Sequence, residues 1–202
     1  MNWKYIAYLT VFFLIAIACE KEPERFDDFL VELATVVKPG EQISFQLDNN
    51  KTLIPRELKN YSGKDGQRVA LNYTPLRGDT IKVNNVSDIF TGTVQESNAV
   101  DSLIKNPVKI QSVWVSGNYL NLILEIEYYE KAHTIGLFRD TQSSSLNLHL
   151  AYSRNDDPPG YAKKLYTSFL LSALKSANGS PTPFRLHINT YAGERIFELE
   201  VK

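Results

Sequence analysis

The residue with the clearest chemistry is Cys19, the only cysteine of the chain. It ends an apolar run, Tyr5 to Ala18, interrupted only by Thr10, and Ile17-Ala18 stands directly before it as in the last part of a bacterial lipobox. In that setting the thiol is diacylated, the chain is cut ahead of it, and the new amino group is usually acylated too. Two or three acyl chains anchor a protein firmly, at about 0.8 kcal/mol per buried methylene. Ala16 stands where a lipobox more often has Leu. Ala16-Ile17-Ala18 also fits the small-x-small site of an ordinary signal peptidase, which would leave a secreted chain beginning on a lone exposed thiol.

Elsewhere the residues that do chemistry are sparse. His133, His149 and His187 lie far apart, and none has a histidine or cysteine two or four positions away. Spacing therefore points to no metal ligand set. His149 and His187 fall on the polar phase of their strands, which predicts solvent-facing rings. Asn155-Asp156-Asp157-Pro158-Pro159-Gly160 offers two carboxylates to calcium but not the spaced ligand series of a dedicated loop, and it reads as a turn. No nucleophile elbow, phosphate-cradling glycine loop or HExxH motif occurs. The expectation is a protein that is not an enzyme and carries no metal and no cofactor.

The elements around these residues set the compartment first. A helix crossing a bilayer needs about 20 apolar residues, so the run before Cys19 is too short to span comfortably. Lys4 before it and small residues at its end are the layout of a signal peptide, residues 1–18. Residues 19–28, with Glu20, Lys21, Glu22, Glu24, Arg25, Asp27 and Asp28, are too charged to pack a core and read as a tether.

Beyond the tether nearly every apolar run alternates with period two, so the chain is all-β. Ile43, Phe45 and Leu47 share one face, as do Val69, Leu71 and Tyr73, while Arg68, Ala70 and Asn72 take the other. Pro39-Gly40, Asn49-Asn50 and Asp65-Gly66 supply turns. Five strands are predicted between Phe29 and Thr93, and they suit a small five-stranded OB-like barrel over residues 29–94. Periodicity lapses over residues 95–106, read as a connector with at most a helical turn. Seven strands over residues 107–202, with turns at regular intervals, predict a β-sandwich, with Trp114 as a core anchor.

Charge excludes one class of partner. The net charge is −1, and between Phe29 and Val94 eight basic residues face seven acidic ones, no basic funnel for nucleic acid. Phe45 and Tyr73 lie on the apolar phase, as core rather than as stacking platforms.

The order of lipobox, small barrel, connector and sandwich carries a resemblance, together with five stretches of sequence. These are Asp65-Gly66-Gln67-Arg68-Val69, Lys82-Val83-Asn84, Pro107-Val108-Lys109-Ile110, Trp114-Val115-Ser116-Gly117-Asn118-Tyr119-Leu120-Asn121 and Tyr191-Ala192-Gly193-Glu194-Arg195. The chain resembles the NigD-like lipoproteins of the Bacteroidota over essentially its whole mature length. The resemblance implies an OB-like first domain, a β-sandwich second domain and an outer-membrane lipoprotein, periplasmic or surface-exposed. The acidic residues behind Cys19 look like surface-export signals of that group. No family motif is catalytic, and the family name implies bacteriocin immunity or an accessory role for one member.

Two function classes follow. One is a non-catalytic binding module, held to the membrane by lipid, that contacts an envelope protein or a glycan. The other is a structural or accessory subunit of an outer-membrane complex or glycan-handling system. O-glycosylation in the Bacteroidota favours Asp, then Ser or Thr, then an aliphatic residue, which singles out Ser102 in Asp101-Ser102-Leu103 and Thr80 in Asp79-Thr80-Ile81.

Overall fold

Alternation of apolar and polar residues, cut by turn residues, builds both halves of the chain. The computed structural model describes residues 29–202; the expected signal peptide (1–18), Cys19 and the tether (19–28) lie outside the described residues. Five strands come first: β1 (Leu30–Val37), β2 (Ser44–Leu47), β3 (Thr52–Pro55), β4 (Arg68–Pro75) and β5 (Thr80–Asp88). Their apolar phase collects Ala34, Val36, Phe45, Leu47, Leu53, Val69, Leu71, Tyr73 and Ile81 into one buried cluster. The strands pair in the order β1-β2-β3-β5-β4 and β4 returns to β1, which closes a barrel. β3 and β5 run parallel, the other barrel pairs antiparallel, the layout of an OB barrel. Gly40 and Asn50, in the predicted turns, take positive φ, a conformation that costs Gly and Asn less than other residues.

Eight further strands form the second half: β6 (Phe90–Ser97), β7 (Lys109–Ser116), β8 (Tyr119–Tyr128), β9 (Thr134–Asp140), β10 (Asn147–Ser153), β11 (Tyr161–Leu170), β12 (Thr182–Thr190) and β13 (Gly193–Val201). β7, β8 and β11 make one layer, while β9, β10, β12 and β13 make the other. Between them Leu120, Leu122, Leu124, Phe169, Leu137, Leu148, Leu150 and Leu186 form a second core. Each buried Leu or Phe contributes about 1.5–3 kcal/mol, and this cluster, rather than any cross-link, holds the layers together.

β6 belongs to both layers. Phe90–Thr93 pair with β11 and Val94–Ser97 with β9, both parallel. The expected barrel boundary at residue 94 therefore moves back to Ile89, and the seven strands expected from residue 107 onward gain an eighth from before it. Residues 95–106 do not join the two domains either. They contain the end of β6 and a 3-10 turn at Val100–Ser102, then run along the sandwich, bridging Tyr152 at Lys105. The side chain of Asn189 donates to the Lys105 carbonyl at 2.6 Å. Gly92 and Glu96, on the phase of Phe90 and Val94, obscure this strand, whose first half pairs on one edge and whose second half pairs on the other. Among the described residues no helix is long and apolar enough to cross a membrane.

Candidate functional site

Arg68 begins β4 on the phase that faces away from the barrel core, where alternation predicts solvent. It is fully buried instead, because the outer face of the sandwich packs over it. Its guanidinium is bidentate to Asp48, with Nη1 to Oδ1 at 2.6 Å and Nη2 to Oδ2 at 3.2 Å. It also donates to Thr35 Oγ1 at 3.1 Å and across the domain junction to Asn121 Oδ1 at 3.2 Å. The Tyr119 ring lies 4.1 Å from the guanidinium carbon. Asn121 donates back to Asp48 at 3.3 Å and accepts from Ser168 at 2.6 Å. Gly117 is required at this joint: its φ is +58° and a Cβ would sit 3.2 Å from the Asp48 carbonyl oxygen.

Beside the joint lies a cleft of about 410 Å³. Val31, Leu33 and Leu47 wall it from the barrel, Trp114, Ile123 and Tyr166 from the sandwich. Trp114 is thus not the core anchor that its sequence suggests. It is half-buried on the outer face of β7, opposite Asn121, while Val113 and Val115 turn inward. The two carboxylates of the cleft are engaged: Asp48 by Arg68, and Glu32 by the Tyr73 hydroxyl. Burial first, and then Glu32, push the Tyr73 phenol well above its usual range. Phe29, Leu30 and Val31 leave large apolar surface exposed at the start of β1, next to the cleft. Phe90 adds to it across a second hollow of about 440 Å³, which shares Val31 and Tyr166. Phe45 and Tyr73 are buried in the barrel and present no ring to a base.

Two histidine clusters that spacing does not reveal appear in space. In the first, Asp157 accepts from the backbone N–H groups of Tyr129, Glu130 and Lys131 at 2.8–3.1 Å. His133 Nε2 lies 3.0 Å from Asp157, and His133 Nδ1 lies 2.6 Å from the Tyr152 hydroxyl. Burial alone would raise the Asp157 carboxyl, but these donors outweigh it and hold the pKa far below the usual carboxylate range. The Asp157 carboxylate accepts, so His133 Nε2 is the donor to it, and the Tyr152 hydroxyl meets Nδ1; burial pushes Tyr152 up to about 12. Carboxylate, imidazole and hydroxyl stand in line as in a catalytic relay, yet Asp157 and Tyr152 are each only 2 % exposed. The arrangement clamps the β8–β9 loop to the turn at Asn155 and Asp156, both at positive φ. Both Asp157 oxygens face N–H donors, and Asn155 and Asp156 form the turn before it.

The second cluster corrects the solvent-facing reading of the other histidines. Parallel pairing of β10 with β12 sets His149 opposite His187. The rings stack at 4.4 Å with 17° between planes, and His149 is 9 % exposed. Glu194 Oε2 approaches His187 Nδ1 to 3.2 Å without hydrogen-bond alignment. Nδ1 of His149 and both ring nitrogens of His187 are buried with no hydrogen-bond partner. Each such orphan costs about 1–3 kcal/mol. Burial, then the neighbouring His187, lower the His149 pKa.

Of the two residues singled out for glycosylation, Ser102 is exposed in the 3-10 turn and donates to the Ala99 carbonyl at 2.7 Å. Thr80 is half-buried at the first position of β5.

Barrel, joint and sandwich define a two-domain all-β protein whose polar contacts at the junction fix one domain on the other. The chain belongs to the NigD-like family: residues 33–89 match the NigD-like N-terminal OB domain and residues 91–201 the NigD-like C-terminal beta sandwich domain. The two matches meet where β6 begins. Among solved structures, a protein from Parabacteroides distasonis described as toxin related is 28% identical, with a TM-score of 0.77 over 87% of this chain and 94% of that one. A NigD-like immunity protein from Bacteroides caccae is 22% identical, with a TM-score of 0.66 over 86% and 93%. A protein from Bacteroides fragilis described as a lipoprotein is 16% identical, with a TM-score of 0.67 over 86% and 98%. No curated protein sequence matches the chain.

Proposed function

We propose that the chain is a non-catalytic binding module of the cell envelope, anchored through lipid on Cys19 in the outer membrane, and that its interdomain cleft holds a polypeptide partner of the bacteriocin kind. The cleft carries this reading. Its rings and aliphatic walls stand on strands braced by the Arg68 joint, which is the preorganisation that binding rewards. Both of its carboxylates are already hydrogen-bonded, so they orient a ligand rather than attack one. The exposed apolar run at Phe29–Val31 extends the surface beyond what a small solute needs. Membership of the NigD-like family, and the names immunity protein and lipoprotein on similar structures, support the same direction. The rings of Trp114 and Tyr166 beside Asn49 and Ser116 also favour a second reading, glycan handling. Ser102 is the glycan acceptor in this proposal, since its side chain is the more open of the two.

A photo-crosslinking residue at Ile123 in native-host cells tests the cleft. Polypeptide adducts are expected, and Trp114→Ala with Tyr166→Ala should abolish them. Adducts that survive both changes, or glycan adducts alone, overturn the polypeptide reading. Intact mass from the same cells reads the anchor, since Cys19→Ala must lose the acyl mass and leave the membrane pellet. It reads the glycan too, through the difference made by Ser102→Ala.

A further inference from the structure

We infer that His149, His187 and Glu194 form a binding site for a divalent transition metal of the zinc class on the outer face of β10, β12 and β13. One ligand atom from each residue lies within 4.8 Å of the other two. Two donors on one tetrahedral zinc sit about 3.3 Å apart, given bonds of about 2.0–2.2 Å. Side-chain rotation of about an ångström therefore closes the set, with no movement of the strands. The register supplies the positions: His149 lies opposite His187 on the parallel pair, and Glu194 lies opposite Asn189, two residues along the same face of β12.

The buried nitrogens point to a ligand. His149 is more than nine-tenths buried, its Nδ1 and both nitrogens of His187 are buried with no hydrogen-bond partner, and Glu194 Oε2 stands 3.2 Å from His187 Nδ1. A metal ion satisfies such lone pairs where a proton does not, because protonating stacked rings sets like charges 4.4 Å apart. The Glu194 side chain is 48% exposed and can swing aside to admit the ion. Two imidazoles and one carboxylate suit zinc, cobalt or nickel, whereas calcium and magnesium prefer oxygen donors. Water completes the coordination.

Calorimetric titration with zinc chloride tests the site on the full chain in detergent, with Cys19→Ser in every sample so that no thiol competes. One zinc per chain is expected, with no binding of calcium under the same conditions. Cobalt should give visible ligand-field bands. His149→Ala, His187→Ala and Glu194→Gln should each weaken zinc by more than about tenfold, since even outer partners of metal ligands are worth 10–100-fold. If His149→Ala fails to fold, Glu194→Gln still decides, because that side chain lies half in solvent. Absence of binding, or zinc affinity unchanged by His187→Ala and Glu194→Gln, overturns the proposal.

Discussion

Arg68 shows what a single residue does at the junction. A buried guanidinium is tolerable only when its donors are matched, and here Asp48, Thr35 and Asn121 match all but Nε, which has no partner. Removing one member of a buried pair leaves the other charge stranded, at about 3–5 kcal/mol. Arg68→Ala is therefore expected to lose about that much by urea denaturation. Trp114→Ala trims the cleft wall without opening a core cavity, so it should lose only about 1 kcal/mol. An Arg68→Ala loss of about 1 kcal/mol or less would mean that the joint does not bear on stability. Two of the five stretches that carry the family resemblance meet here, since Arg68 comes from one and Trp114, Gly117, Tyr119 and Asn121 from another. What these two build is the docking of one domain on the other, a structural role with no catalytic group in it.

At the scale of elements, the β8–β9 loop and the Asn155–Gly160 turn depend on the ionised Asp157. Its folded pKa lies below its unfolded value of about 4, so its contribution is present above pH 4 and is lost as pH falls through the depressed value. Asp157→Asn should lower the melting temperature at neutral pH and reduce the further loss between pH 5 and pH 3. An unchanged acid profile would reject the clamp. Strands of this kind were legible in the sequence wherever one face is apolar: Phe45 with Leu47, Val69 with Leu71, and Leu120 to Ile126 all point to cores. The misreadings share one cause. Alternation reports which side faces the strand's own core, and it is silent about a second surface packed outside. Arg68 lies under the other domain, His149 under a neighbouring ring, and Trp114 faces a cleft rather than the core. β6 is hidden because it crosses from one layer to the other, its first half paired with β11 and its second with β9, and Gly92 and Glu96 stand where apolar residues would continue the phase of Phe90 and Val94.

Across the whole molecule, the boundary at Ile89 decides which pieces stand alone. A chain starting at Phe90 keeps β6 and should unfold cooperatively in calorimetry, whereas one starting at Asn98 lacks the strand that joins the layers and should not. If the chain starting at Asn98 also unfolds cooperatively, β6 is dispensable. The position of β6 also imposes an order in time. Every barrel strand lies between residues 30 and 88, so the barrel can close early. β6 follows at once, yet the residues opposite Val94 and Phe90 are Leu137 and Thr167, far later in the chain. Pairings between distant segments form slowly, and an unpaired strand edge invites wrong partners while it waits. A barrel already folded at its N-terminal end shields one end of that waiting strand, and the sandwich can close only once β11 has arrived.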